Sequence, residues 1–306
     1  MRIAITGATG TIGKEIVDRA LKEGHEVIAI VRPNSKHISV LEAYPQVTIV
    51  YSDITGYKEV EAPETCDIFI HLAWKETLGA GRDDAAVQID NIRYTLDAAK
   101  LAKRWGAKAF VGAGSQAEFG VSNQILTSST PTNPESGYGV AKYAAAKLCK
   151  LYCEQNDMRF NWGRITSTYG ERDSDNTLMK YVIRALLAGE SPELTKCEQI
   201  WDYTYCRDTA NALLLIGLYG KPGKTYIIGS GDHRSLRQFI ECVRDKINPE
   251  LKLKFGARPY YPHQPMLLFP DITELTEDTG YRPEYDFDEG ISNVIEYVKS
   301  HLSESC

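Results

Sequence analysis

An α/β fold built on a doubly wound parallel sheet is the class this 306-residue sequence predicts, and three observations carry it. A glycine-rich segment, Gly7-Ala8-Thr9-Gly10-Thr11-Ile12-Gly13, joins an apolar, β-branched run to a stretch with helical periodicity. Strand and helix signals then alternate as far as residue 165, the pattern of parallel strands joined by crossover helices. After about residue 170 the alternation breaks down, and Pro- and aromatic-rich segments such as 256–263 replace it. The expected organisation is a large lobe over residues 1–168 with 203–230. A smaller, discontinuous C-terminal lobe is expected over 169–202 with 231–306.

The elements follow in order. Arg2 to Thr6 is short and apolar, as a strand buried on both faces requires. From Thr11 to Glu23, residues Ile12, Ile16, Val17, Ala20 and Leu21 recur with helical spacing, and Gly24 supplies a stop. The next strands are read at 25–31, 47–51, 67–73, 108–114 and 159–165, and the clearest helices at 89–105 and 138–154. The glycines therefore sit on a strand-to-helix turn. Gly7 permits the tight turn, Gly10 lets the backbone approach a diphosphate, and Gly13 allows close helix–sheet packing while the helix N-terminus faces the anion. A dinucleotide fits that arrangement. The plainer reading, a tight turn in some other α/β protein, does not need the strand before and the helix after.

Composition narrows the function classes. A hydrophobic content of 43% supports a substantial core. The net charge of −6 and the lack of a basic cluster argue against a nucleic-acid partner. No apolar run reaches membrane length, and the first residues already read as a strand, so a cytoplasmic protein without a signal peptide is expected. Of seven cysteines, Cys149 and Cys153 stand four apart on a predicted helix. That spacing could hold a metal, but no His or Cys cluster accompanies it, so packed, reduced thiols and no metal are expected.

The second chemical signal is Tyr138-Gly139-Val140-Ala141-Lys142, a phenol and an ammonium one helical turn apart on one face. A phenol with its ordinary pKa of about 10 is a poor base at neutral pH. A neighbouring ammonium and a positive nicotinamide would favour the phenolate and make it useful for proton transfer. Taken alone, the pair could equally be an ordinary exposed helix face.

Several ordered blocks carry a resemblance over almost the whole length. They are Thr6–Gly13, Ile70-His-Leu-Ala73, Gly114-Ser-Gln-Ala-Glu-Phe-Gly120 and Pro131–Lys142, then Trp201–Asp208, Tyr226–Gly231, and Asp271–Leu275 with Gly280-Tyr-Arg-Pro283. On these the chain resembles an extended short-chain dehydrogenase/reductase of the NAD-dependent epimerase/dehydratase type, whose usual substrates are nucleotide sugars. The resemblance implies a Rossmann-type sheet and catalysis by Ser115, Tyr138 and Lys142. Tyr138 would exchange a proton with the sugar hydroxyl, Ser115 would share the substrate oxygen, and Lys142 would also hold the nicotinamide ribose. Cofactor contacts are implied for Gly7, Thr9, Gly10, Thr11, Ile12 and Gly13, for Asp53 and Ile54 at the adenine, and for Leu72, Ala73, Trp74, Asn91 and Ile165 towards the nicotinamide. Substrate contacts are implied for Trp74, Gln116, Ser167, Trp201 and Arg258. The expected activity is that of a 4-epimerase or 4-ketoreductase on a nucleoside-diphosphate sugar, in a homodimer.

Departures from the family pattern refine these expectations. Ser115-Gln116-Ala117 lacks the acidic pair a 4,6-dehydratase needs, and Glu118 stands beyond the usual place. The second strand ends Val31-Arg32-Pro33, with no carboxylate for the ribose hydroxyls. Arg32 suits a 2′-phosphate, so NADP is expected, with NAD the alternative if Arg32 merely ends the strand in solvent. Many relatives carry an asparagine in the segment after the sixth strand, where this chain reads Arg164-Ile165-Thr166-Ser167-Thr168-Tyr169-Gly170, and Trp201 stands where a diphosphate-binding arginine is frequent. Trp201 reads as core or as a stacking platform. Arg207 stands where an acid is usual, and Arg258 remains available for phosphate.

Two other classes stay open, a reductase of a small non-nucleotide carbonyl compound and a non-catalytic NAD(P)-binding regulator. The dimer expectation comes from helix 138–154, which is apolar nearly all round. By resemblance it pairs with its copy together with Ile92, Leu96, Ala99, Leu101 and Ala102; a loop of the same chain is the other possible cover.

Overall fold

The first six strands are β1 (Arg2–Thr6), β2 (Glu26–Val31), β3 (Thr48–Tyr51), β4 (Ile68–His71), β5 (Ala109–Ser115) and β6 (Arg159–Ile165), in a computed structural model that describes residues 1–261 and 264–303. The chain then leaves the sheet through β7 (Thr168–Tyr169), β8 (Ile200–Asp202) and β9 (Thr204–Tyr205). It returns as β10 (Thr225–Ile228) before β11 (His233–Ser235). The resulting seven-stranded parallel sheet has the order β10-β6-β5-β4-β1-β2-β3. Strand order reverses at β1, which pairs with β2 on one side and β4 on the other. Such a reversal opens a crevice at the carboxyl ends of the two strands, and this is what positions the site.

Alternation along the buried strands decides what covers each face. Ile3 and Ile5 point to a cluster with Ile16 and Val17 of α1 (Thr11–Lys22) and Leu213 of α6 (Cys206–Tyr219). Ala4 points the other way, with Phe69 and Phe110, beneath Ala98 and Leu101 of α3 (Ala85–Arg104) and Ala145 and Cys149 of α4 (Gly137–Gln155). Phe69 and Phe110 are fully buried, each contributing roughly 1.5–3 kcal/mol. A third cluster lies outside the sheet, where Val182 of α5 (Leu178–Leu187), Phe239 of α7 (Leu236–Ile247) and Ile291 of α9 (Phe287–Ser303) surround Tyr169 and Tyr205. The short helices α2 (Ser39–Glu42) and α8 (Thr273–Thr279) complete the fold.

The strands fall where the sequence places them, with informative differences at the ends. The strand expected over 67–73 stops at His71, because the Leu72 and Ala73 amides turn to the Thr6 hydroxyl at 3.1 and 3.3 Å. Helix α3 begins at Ala85, four residues before the apolar periodicity, because Asp84 Oδ1 accepts from the Ala86 and Val87 amides. Ser136 caps α4 in the same way through the Gly139 amide. Cys149 and Cys153 are both fully buried in the core, and burial pushes the Cys153 thiol up to about 12. Among the described residues no helix is long and apolar enough to cross a membrane. Of segment 256–263, Pro262 and His263 lie outside the described residues.

Candidate active site

The glycine segment forms the floor of a cleft of about 560 Å³ between the ends of β1, β2 and β4. Gly7 has φ +71°, and a Cβ there would come within 3.3 Å of the Ala73 amide and the Leu72 Cβ. A Cβ on Gly13 would overlap the Gly7 carbonyl oxygen, so α1 can lie this close to the turn only with glycine. Gly10 is the N-cap of α1 and offers no side chain to its first amides. Those donors are left to face the cleft, the arrangement that suits a diphosphate.

Gly7, Thr9, Gly10, Thr11, Ile12 and Gly13 line the cleft with Arg32, Asp53, Ile54, Leu72, Ala73 and Trp74, as the sequence expects, and His37 joins Arg32 at the end of β2. Asp53 caps the 3-10 turn Ile54–Gly56, accepting from the Thr55 amide at 3.1 Å.

The far end of the cleft is held from beneath. Thr6 Oγ1 shares a 2.8 Å hydrogen bond with His71 Nδ1 while accepting the two amides after β4. Burial, reinforced by the Lys142 charge, pushes His71 down to about 3, so it works as a neutral imidazole. Asn91 is fully buried and does not face the cleft as a free ligand group. Its Oδ1 accepts from the Lys75 amide at 3.0 Å, and its Nδ2 donates to the Lys75 carbonyl and to Gln88. Gln88 in turn accepts from Trp74 Nε1 at 3.0 Å. The asparagine therefore fixes the loop that carries Trp74.

Trp74 links the cleft to Tyr138 and Lys142. Its ring stands edge-on to Tyr138, with centroids 5.9 Å apart, and Lys142 Nζ lies 3.8 Å from its centre. Tyr138 and Lys142 are both buried on the first turns of α4. Ser115, at the end of β5, hydrogen-bonds the Tyr138 side chain.

The electrostatics differ from the expectation that Lys142 activates the phenol. Burial is the largest influence on Tyr138 and raises it; the Arg82 charge and the Ser115 hydrogen bond pull it down, and the Glu118 charge raises it. Burial also pushes Lys142 down to about 7, only partly offset by Glu118. The lysine donates to the Ala113 carbonyl at 2.7 Å and is not the principal cation acting on the phenol.

Glu118 and Arg82 are the residues sequence reasoning passes over. Glu118 is wholly buried, and its bonds go to residues of β5 and β6. Oε1 accepts from the Ser115 amide and from Trp162 Nε1, and Oε2 from Arg164 Nε at 2.8 Å. With the Ala117 amide donating to Ser115 Oγ, it closes a capping box that fixes the serine. A buried charge pair is tolerable when its lone pairs are filled in this way. The Ser-x-x-Glu spacing was the available signal.

The remaining expected substrate residues divide. Gln116 and Ser167 are half-buried at the ends of β5 and β6, beside Ile165, and the Ser167 carbonyl accepts from the Thr204 amide. Trp201 is half-buried against Phe119, Leu126 and Leu268, and among the described residues its buried Nε1 has no partner. Arg258 is turned away from the cleft. Its amide is pinned to the Leu194 carbonyl, and its exposed guanidinium therefore falls beside Glu193, 3.8 Å away, and near the Tyr181 ring. Arg207 pairs with Glu15 and Glu171.

The sequence model of the NAD dependent epimerase/dehydratase family matches residues 3–229. The chain belongs to that family. It is therefore an enzyme of the extended short-chain dehydrogenase/reductase type. A UDP-glucose 4-epimerase from Mycolicibacterium smegmatis is 25% identical, over 98% of this chain and 99% of the relative. Among solved structures, a UDP-N-acetylglucosamine 4-epimerase from Methanobrevibacter ruminantium, in complex with UDP-N-acetylmuramic acid, superposes with a TM-score of 0.87. It is 22% identical and covers 98% of each chain. A UDP-glucuronic acid 4-epimerase from Bacillus cereus in complex with NAD gives a TM-score of 0.85 at 20% identity, covering 98% of this chain and 99% of that one. These two likenesses establish the fold.

Proposed function

We propose that the protein interconverts a hydroxyl and a keto group on the sugar of a nucleoside-diphosphate sugar, as a 4-epimerase or 4-ketoreductase. The observation that carries this reading is the meeting of Ser115, Tyr138 and Lys142 around Trp74, at the end of a glycine-floored cleft. The turn Gly7–Gly13 would hold the cofactor diphosphate, and Lys142 the ribose next to the reacting ring. When bound, the nicotinamide supplies reversible hydride transfer at carbon. The protein's own part is the proton. Tyr138 takes it from the sugar hydroxyl or returns it, Ser115 orients the same oxygen, and burial excludes water from the exchange. The missing acidic pair after Ser115 disfavours a dehydratase.

NADP is the proposed cofactor. The exposed Arg32 lines the cleft at the end of β2, His37 lines the same cleft, and a guanidinium there suits a 2′-phosphate. Dimerisation through α4 is proposed as well, and cytoplasmic residence with it.

A second reading has an observation in its favour. Trp201 replaces an arginine that would meet a diphosphate, and Arg258 is engaged with Glu193. Both suit a small carbonyl substrate without a nucleotide handle. A thermal-shift panel with NADP, NAD, nucleoside diphosphates and their sugars separates the two, because stabilisation grows with ligand concentration over Kd. Shifts with a nucleoside diphosphate support the first reading; shifts with NADP alone overturn it in favour of the second.

A further inference from the structure

The loop between β4 and α3 is fastened to α3 by Asn91 and, at a second place, docks on α4, the helix that carries Tyr138 and Lys142. The 3-10 turn Ala80–Asp83 packs against the first turn of α4, where Asp83 Oδ1 accepts from the Gly137 amide at 2.8 Å. A Cβ at Gly137 would come 3.2 Å from Asp83 Cα and 3.3 Å from the Arg82 carbonyl oxygen, so glycine lets the two backbones meet. This docking delivers Arg82 to the site. One of its terminal nitrogens donates to the Thr77 carbonyl at 3.0 Å, and the guanidinium carbon sits 4.4 Å from the centre of the Tyr138 ring. Lys142 Nζ is farther from that ring centre, at 5.7 Å. Among the described residues no carboxylate forms an ion pair with Arg82.

We propose that Arg82 is a positioning residue for proton transfer, acting through Tyr138 by stacking a permanent positive charge on its ring. The proposal rests on the role of Tyr138 given above. The charged and titratable groups facing the phenol are Arg82 from the docked turn, Glu118 from the turn after β5, and Lys142 from α4 itself. Glu118 opposes ionisation of the phenol. Burial pushes Lys142 down to about 7, so it is only partly charged around neutral pH. A guanidinium stays protonated throughout that range. It also attracts an aromatic ring, so Tyr138 has the Arg82 charge and the Trp74 ring as its neighbours.

The test compares R82M and R82K with the wild type. In the pH profile of kcat/KM, the limb assigned to the phenol should move upward by about one pH unit in R82M, and R82K should recover part of it. The same ionisation can be read without turnover. With 3-fluorotyrosine incorporated, the fluorine resonance that disappears in Tyr138→Phe belongs to this residue, and its titration midpoint should rise in R82M by the same amount. An unmoved fluorine titration overturns the proposal, as does an equal rise in R82K and R82M. A loss confined to KM with both midpoints unchanged overturns it too, making Arg82 a substrate ligand instead. If no nucleotide sugar or small carbonyl is turned over, the proposed function fails, yet the fluorine titration still judges Arg82.

Discussion

In the proposed reaction Tyr138 exchanges a proton from a buried position on the first turn of α4. Tyr138→Phe removes only the oxygen, so turnover should fall by at least about a hundredfold while NADP binding stays near wild type. Steady-state rates with a parallel fluorescence titration of the cofactor check this; retention of a tenth of the activity would rule the assignment out. At the opposite end of the cleft, Arg32→Asp should swing preference from NADP towards NAD, by deleting a phosphate partner and adding a repulsive charge. The ratio of kcat/KM for the two cofactors measures it, and an unchanged ratio defeats the argument from β2. Both of these expectations rest on local signals in the sequence: a phenol and ammonium one turn apart, and an arginine ending a strand. Arg82 and the fastening role of Asn91 were not, since each exists only once the loop after β4 lies on α3 and α4.

Between residue and molecule, elements meet at small contacts that tune them. After β7 the chain crosses the N-terminus of α1, where a Cβ on Gly170 would stand 3.0 Å from Thr11 Cγ2. Asp173 accepts from the Gly170 amide at 3.1 Å in that crossing. Burial, the largest influence, raises the Asp173 carboxyl from 3.8 to about 6. The folded state thus holds this proton more tightly than the unfolded chain does. Its stabilising contribution is full below about pH 4 and is lost as pH rises through about 6. Asp173→Asn should flatten that slope, which urea midpoints for both proteins from pH 4 to 7 would display; parallel slopes would refute it. Elements of the sheet were readable from apolar runs because buried parallel strands have few other compositions. The end of β4 and the starts of α3 and α4 were not, because Thr6, Asp84 and Ser136 set them through side-chain bonds that periodicity does not register.

On the scale of the whole molecule, α4 spends only one of its faces on its own chain. Ala145, Ala146, Cys149 and Cys153 are buried, as are Ala99, Leu101 and Ala102 of α3, so those residues are not available to a copy. Val140, Leu148 and Leu151 remain exposed in a stripe about 80° wide, with Ile89 of α3 also exposed. A twofold contact would cover such a stripe with itself. Light scattering at micromolar concentration should give twice the 34.2 kDa chain mass, and Leu148→Glu with Leu151→Glu should halve it. A wild type of 34.2 kDa would end the idea. We also propose the division into residues 1–168 with 203–230 and residues 169–202 with 231–306, supported by the separate cluster around Tyr169, Phe239 and Ile291. The return of the chain as β10 has a consequence for synthesis. Until residue 228 has left the ribosome, β6 carries a row of unsatisfied amides and carbonyls along one flank, ready to recruit another nascent chain. The segment between β6 and β10 must therefore be made before the last strand of the sheet can pair, through a contact spanning some sixty residues.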